Sequence, residues 1–152
     1  MLLRRPHLVG AVIAPAVLTL VLATSAVAGG RPVSASMTGA NEFPGPGDPD
    51  GAGRVTLTLN QGRGKVCWNI KVENITLPAT AAHIHPGVAG TANPPVVDLG
   101  APGADGTSVG CTTGVSKALI KDIRQHPANY YVNVHTTDYP GGAIRGQLAK
   151  GR

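Results

Sequence analysis

The chain has 152 residues, carries 13 Lys and Arg against 8 Asp and Glu for a formal charge of +5, and holds one Trp, three Tyr and one Phe. That length fits one domain of modest core rather than two. The basic residues are spread along the chain and few aromatic side chains are present to stack on bases, which argues against nucleic-acid binding.

The beginning of the chain does not read as part of the fold. Arg4 and Arg5 precede an apolar run from Leu8 to Leu22, which gives way to the small residues Ala26-Val27-Ala28. This order predicts a secretory signal peptide over 1–28 with cleavage after Ala28, because signal peptidase accepts only small side chains where Ala26 and Ala28 would sit. A retained anchor is the alternative, since the run approaches the ~20 residues that span a bilayer; Pro15 and the small-residue box favour removal. The domain is then 29–152, secreted or held in the cell envelope, with no stable membrane span after cleavage. Losing Arg4 and Arg5 leaves 11 cations against 8 acids, a formal charge of +3.

The rest of the chain reads mostly as strands and turns. RPVSASMTG (31–39) alternates small apolar with polar residues, and NEFPGPGDPDGAG (41–53) is too rich in Pro and Gly for a regular element. GRVTLTLNQGRGKVCWNIKVENI (53–75) places Val55, Leu57 and Leu59 on one face, then after a Gly-rich turn Val66, Trp68, Ile70 and Val72. Such period-2 patterning around a turn predicts an antiparallel hairpin with one buried face. A short strand is expected over His83 to His85, another at VVDLG (96–100), and loop at APGADGTSVG (101–110). One segment, 116–126, reads as a helix: Ser116 is placed as N-cap, Leu119, Ile120 and Ile123 recur at helical spacing, His126 caps the end and Pro127 stops it. NYYVNVHTTDYPGGAIRGQLAK (129–150) closes the chain as a second hairpin about YPGG. Short strands with one short helix predict an all-β, antiparallel Greek-key β-sandwich.

Cys67 and Cys111 are an even pair, which in an exported protein predicts one disulfide closing roughly 45 residues and contributing ~3–4 kcal/mol. Buried thiols or thiolate ligands are the alternative, although no CxxC spacing is present.

Residues i and i+2 of a strand point the same way, so His83 and His85 project together and Ile84 opposes them. On YYVNVHT, Val132 and Val134 take one face and Tyr131, Asn133 and His135 the other. Across the turn Ile144 and Leu148 go with the valines, and Arg145 and Gln147 with His135. Should the His83 strand lie beside this hairpin, three imidazoles, an Arg and a Tyr share a patch. Neutral imidazole is the commonest side-chain ligand for copper, zinc, iron and nickel, and an Arg beside such a site can orient an anion. Surface or hydrogen-bonded structural histidines are the competing reading of a bare His-x-His. G-x-S-x-G, Walker and H-E-x-x-H motifs are missing from the sequence.

MTGANEFPG, AHIHPGVAGTANPPVVDLG and HPANYYVNVHTTDYPGGAIRGQL together resemble the CHRD domain, the module described in chordin and found singly in exported bacterial proteins. The resemblance covers about residues 33–149 and implies an immunoglobulin-like or superoxide dismutase-like sandwich, with little implied about activity. In residue order the chain is also similar to copper and zinc superoxide dismutases. That likeness implies His83, His85 and His135 as metal ligands and Arg145 as anion guide, without a zinc-binding loop or bridging histidine.

The resulting expectation is an exported protein binding a redox metal, copper or iron, through His83, His85 and His135. Its expected activity is of superoxide dismutase type on a small anionic substrate such as superoxide, with Arg145 drawing in the anion and Tyr131 aiding proton supply. A variant makes one histidine an axial ligand to haem at the subunit interface of a homo-oligomer; without CxxCH the attachment would be non-covalent. From a different class, the rival is a non-catalytic binding or structural module of the cell envelope.

Overall fold

The computed structural model describes residues 32–151; the expected signal peptide, 1–28, lies outside the described residues. The elements in chain order are β1 Val33–Thr38, β2 Ala52–Asn60, β3 Lys65–Glu73, β4 Ala81–Pro86, β5 Val97–Leu99, β6 Thr107–Thr112, α1 Lys117–Gln125, β7 Tyr130–His135, β8 Ile144–Gln147 and β9 Ala149–Lys150. All pairings are antiparallel, in the order β5-β4-β7-β8-β1-β2-β3-β6, with β9 on β1. The all-β class expected from the alternation is therefore the class observed.

Two halves of this sheet fold over one core. β5-β4-β7-β8 and β1-β2-β3-β6 join where β8 pairs with β1 at a single position, Thr38 with Arg145, and β5 and β6 approach at the opposite edges. β9 continues from β8 but pairs with β1, so one stretch of chain belongs to both halves. At this corner the two backbones nearly touch: a Cβ on Gly146 would collide with the Ser36 carbonyl, so no larger residue fits there.

The alternation read from the sequence supplies the core. Val55, Leu57, Val66 and Ile70 from one half meet Ile84, Val132, Val134 and Ile144 from the other, all with no solvent exposure. Helix α1 adds Ile120 and Ile123, also fully enclosed; each such side chain contributes ~1.5–3 kcal/mol by leaving water. The Ser116 hydroxyl accepts from the Leu119 N–H, as the N-cap assignment requires. His126 is the C-cap, and its ring meets the Asp122 carboxylate at 2.9 Å.

One expectation fails. Residues 107–110, read as loop, belong to β6, which pairs with β3 over Thr107–Thr112. Its side chains are alternately exposed and half-exposed, so no apolar alternation marks it. The β3 ladder and a covalent tie define it instead: Cys67 and Cys111 are directly opposed, 3.9 Å apart at Cα, and disulfide-bonded. A bridge at this largely open position fits an oxidising compartment. Among the described residues no helix is long and apolar enough to cross a membrane.

Candidate metal centre

The β4 and β7 register decides which histidines meet. His83 stands opposite Asn133, His85 opposite Tyr131, and Ala81 opposite His135, which sets His135 diagonal to His83. Ile84, Val132 and Val134 turn into the core, so the histidines, Tyr131 and Asn133 share the outer face. The face carries Arg145 and Gln147 as well, since β8 aligns Arg145 with Asn133 and Gln147 with Tyr131.

One ligand atom from each of His83, His85 and His135 lies within 4.8 Å of the other two. His83 Nδ1 and His135 Nε2 are 3.2 Å apart; two nitrogens on one tetrahedral ion with bonds of ~2.0–2.1 Å stand about 3.3 Å apart. The remaining ring nitrogens are held from behind. His85 Nδ1 is 2.6 Å from the Asn93 carbonyl and His135 Nδ1 is 2.9 Å from the Pro140 carbonyl. A carbonyl only accepts, so both Nδ1 atoms carry the proton, which leaves the lone pair of His85 on Nε2. The His83 Nε2 lies 3.7 Å from the exposed Asp98 carboxylate, beyond hydrogen-bond length; with no ion between them, one of the facing His83 Nδ1 and His135 Nε2 donates to the other, and a bound cation would replace that proton. Backing of this kind, the carbonyl behind His85 and that behind His135, is what orients metal-binding histidines.

Two further properties suit a cation. His85 Nε2 is buried and has no hydrogen-bond partner, a costly state for a polar atom. Burial, with the neighbouring imidazoles adding to it, lowers the pKa of His83; burial is also the main cause of the lowered pKa of His85. Both rings are thus neutral, the form that binds metal. The Asn133 Oδ1 stands 3.1 Å from His135 Nε2; a lone pair on that nitrogen requires the Asn133 amide turned over, its NH2 toward the ring.

Arg145 and Tyr131 lie on this face but not at its surface. Arg145 is 1% exposed and Tyr131 2%. The guanidinium carbon sits 3.3 Å from the centroid of the Tyr131 ring, and the His85 ring stacks on Tyr131 at 4.8 Å and 5°. Because β7 lies between β8 and β4, Tyr131 is sandwiched between guanidinium and imidazole. Arg145 donates to the Thr91 and Val88 carbonyls at 2.6 and 3.1 Å, and Gln147 to the Gly87 carbonyl at 2.6 Å. The Asn93 N–H is 3.4 Å from the Tyr131 hydroxyl. The loop between β4 and β5 is thereby strapped over the polar face, and its Asn93 carbonyl is what fixes His85.

The histidines and Arg145 were legible as residue types, whereas their supports were not. The Asn93 and Pro140 acceptors are backbone atoms and carry no side-chain signature; the Pro- and Gly-rich writing of PGVAGTANPP and DYPGG marks only that rigid turns lie there. Glu42 was likewise unmarked. It lies against Gly142, and burial raises its pKa to about 7 although nearby Arg145 opposes the rise.

Strand order, an edge disulfide and a strapped polar face define an all-β, disulfide-bridged module with a histidine cluster on one half-sheet. Residues 33–148 match the CHRD domain, and the chain belongs to that family. No curated protein and no solved structure is significantly similar to it.

Proposed function

We propose that the protein is an exported metal-binding module that holds one transition-metal ion through His83 Nδ1, His85 Nε2 and His135 Nε2. The observation carrying this reading is the buried, unpartnered His85 Nε2 beside the ring nitrogens of His83 and His135. Three imidazoles without a carboxylate among them favour copper over iron, whose non-haem sites commonly include a carboxylate, and copper(II) also tops the divalent affinity series. Haem fits less well, because its iron offers only two axial positions on opposite sides and these nitrogens converge from one side.

Redox turnover of superoxide is the narrower form of the same reading. With its guanidinium enclosed and bound to two carbonyls, Arg145 supports the site through the Tyr131–His85 stack more readily than by meeting an anion. An ion held here would supply one-electron chemistry; the chain's own contribution is to orient three rings, with burial favouring the neutral form of His83 and His85.

The test is elemental analysis of protein taken from its export route, followed by copper(II) titration of the metal-free form against a competing chelator. One ion per chain is expected, with affinity lower by at least about 100-fold in His85→Ala and His135→Ala. A protein that arrives metal-free and takes up no ion would sink the reading and leave a non-catalytic envelope module. Full occupancy in His135→Ala would show the ligand set to be wrong. Superoxide dismutation by the loaded protein, absent from the same variants, separates the redox form from simple metal holding.

A further inference from the structure

Most of the charges that look scattered along the sequence are sorted by the fold to opposite ends of the strands. At one end β1 stops at Thr38, β2 starts at Ala52, β3 stops at Glu73, β6 starts at Thr107 and β7 stops at His135. The flanking segments there carry Glu42, Asp48, Asp50, Asp105 and Asp138, with Glu73 on β3 itself. The other end gathers cations: Arg63 in the β2–β3 turn, Lys65 opening β3, Lys117, Lys121 and Arg124 on α1, and Lys150 ending β9. Helix and turn are tied together, since Arg124 donates to the Gln61 side chain and the Val115 N–H to the Gly64 carbonyl.

Of the two acids near these basic residues, Asp98 lines a cavity at the start of α1 that none of Lys121, Arg124 and Lys150 lines, and the other is occupied. Asp122 accepts from the Tyr130 hydroxyl at 2.6 Å and meets the His126 ring at 2.9 Å. Lys121, Arg124 and Lys150 line one cavity of about 360 Å³ together with Gln61 and Gln125. Lys150 also lines a second, of about 500 Å³, with Arg54, Ser34 and Thr56. No carboxylate lines either cavity.

We propose that this basic end is a docking surface for an anionic phospholipid bilayer. Lys and Arg side chains near an anionic membrane surface each raise partitioning by about fivefold, and the gain weakens with salt. The cations are spread over a helix, a turn and a strand end, an arrangement a plane of phosphates can meet at once. Aromatic side chains, which would stack on sugars or bases, line neither cavity. The chain also enters the fold here: Pro32 lines the second cavity and its carbonyl accepts from the Gly151 N–H. Ahead of it, the nine residues from Ala23 to Arg31 separate the apolar run ending at Leu22 from Pro32. Fully extended, they reach no more than about 35 Å. Until cleavage after Ala28, a bilayer engaged by that run would lie within this reach of the basic end, with the acidic end at the far side of the strands.

Vesicle sedimentation tests this with the exported protein, using phosphatidylglycerol mixed with phosphatidylcholine, phosphatidylcholine alone, and soluble polyphosphate as the competing anion. Binding to the mixed vesicles only is expected, weakening with salt and falling roughly 25-fold or more in the Lys121→Glu, Arg124→Glu double variant. Lys71→Glu, on the outer face of β3, should leave it within about threefold. Equal binding to neutral vesicles, binding to neither, or a double variant that binds as the parent does would overturn the proposal. Salt-sensitive binding to polyphosphate without vesicle binding would also overturn it, transferring this end to a soluble polyanion.

Discussion

The two hairpins of this molecule, β2–β3 and β7–β8, are written in the same alternating code and end in opposite situations. In β2–β3 the apolar face fills the core while Arg54, Thr58, Asn69 and Lys71 face water. In β7–β8 the apolar face does the same, yet the polar face is enclosed too, with Arg145 and Asn133 only 1% and 4% exposed. The β4–β5 loop covers it, bound through its carbonyls by Arg145, Gln147 and His85. An alternating strand thus states which side chains share a face, and the neighbouring loop decides whether the polar face is solvent or site. Enclosing polar groups costs free energy unless each is partnered, so the second hairpin depends on the loop that supplies those partners.

The largest effect expected from this contrast is at Arg145. Arg145→Met removes charge-assisted hydrogen bonds to two carbonyls and the stacking on Tyr131, and should destabilise by about 3–5 kcal/mol in urea unfolding. Arg54→Met, on the exposed face of β2, should stay within about 0.5 kcal/mol. Equal small effects at both positions would erase the distinction between the hairpins.

Next comes the covalent tie on the uncovered half. The edge strand β6 buries little apolar surface and is held by the ladder and the Cys67–Cys111 bridge. Replacing both cysteines by Ser should cost about 2–4 kcal/mol, and hydrogen exchange should show β6 opening ahead of β7. Uniform loss of protection across both halves would mean that the bridge serves the whole core rather than its edge.

These contrasts also explain what could be read in advance. Period-2 alternation marked the hairpins because Val55, Leu57, Val132 and Val134 are fully enclosed core residues, and the helix was legible in Ser116 and its two buried isoleucines. β6 was not, because Thr107–Thr112 packs too little against the core to leave a pattern. Of the candidate site, same-face projection brought out His83, His85 and His135 as types and directions. Their meeting depends on β4 lying beside β7, a long-range pairing no local pattern encodes. The role of Arg145 was unreadable for the same reason: its partners are carbonyls more than fifty positions away.

A smaller effect comes from Glu42, near the buried hairpin. Its pKa of about 7 in the folded protein lies above the ordinary 4.5, so the folded state holds the proton more tightly than the unfolded chain. Its contribution is therefore greatest below about pH 4.5 and is lost as pH rises to about 7, beyond which it levels. Allowing for partial solvent exposure, the loss should be of the order of 1–2 kcal/mol. Glu42→Gln should flatten this part of the stability curve; an unchanged slope between pH 4.5 and 7 would assign it to another group.

The smallest expected effect is the most local. Tyr131→Phe keeps the ring between Arg145 and His85 and removes only the hydroxyl that lies 3.4 Å from the Asn93 N–H. At that length the bond is weak, and the loss of stability should be no more than about 1 kcal/mol. The consequence should appear in the strap: faster exchange of the Asn93 amide, with the His85 proton still on Nδ1 because the Asn93 carbonyl is also restrained from the Pro86 side, at 3.0 Å through the Asn93 side chain. Nitrogen-15 spectra of metal-free protein report that tautomer directly. If the phenylalanine variant shifts the proton to Nε2, the hydroxyl rather than the stack is what orders the loop over His85, and Tyr131 moves from packing partner to the residue that sets the ligand's tautomer.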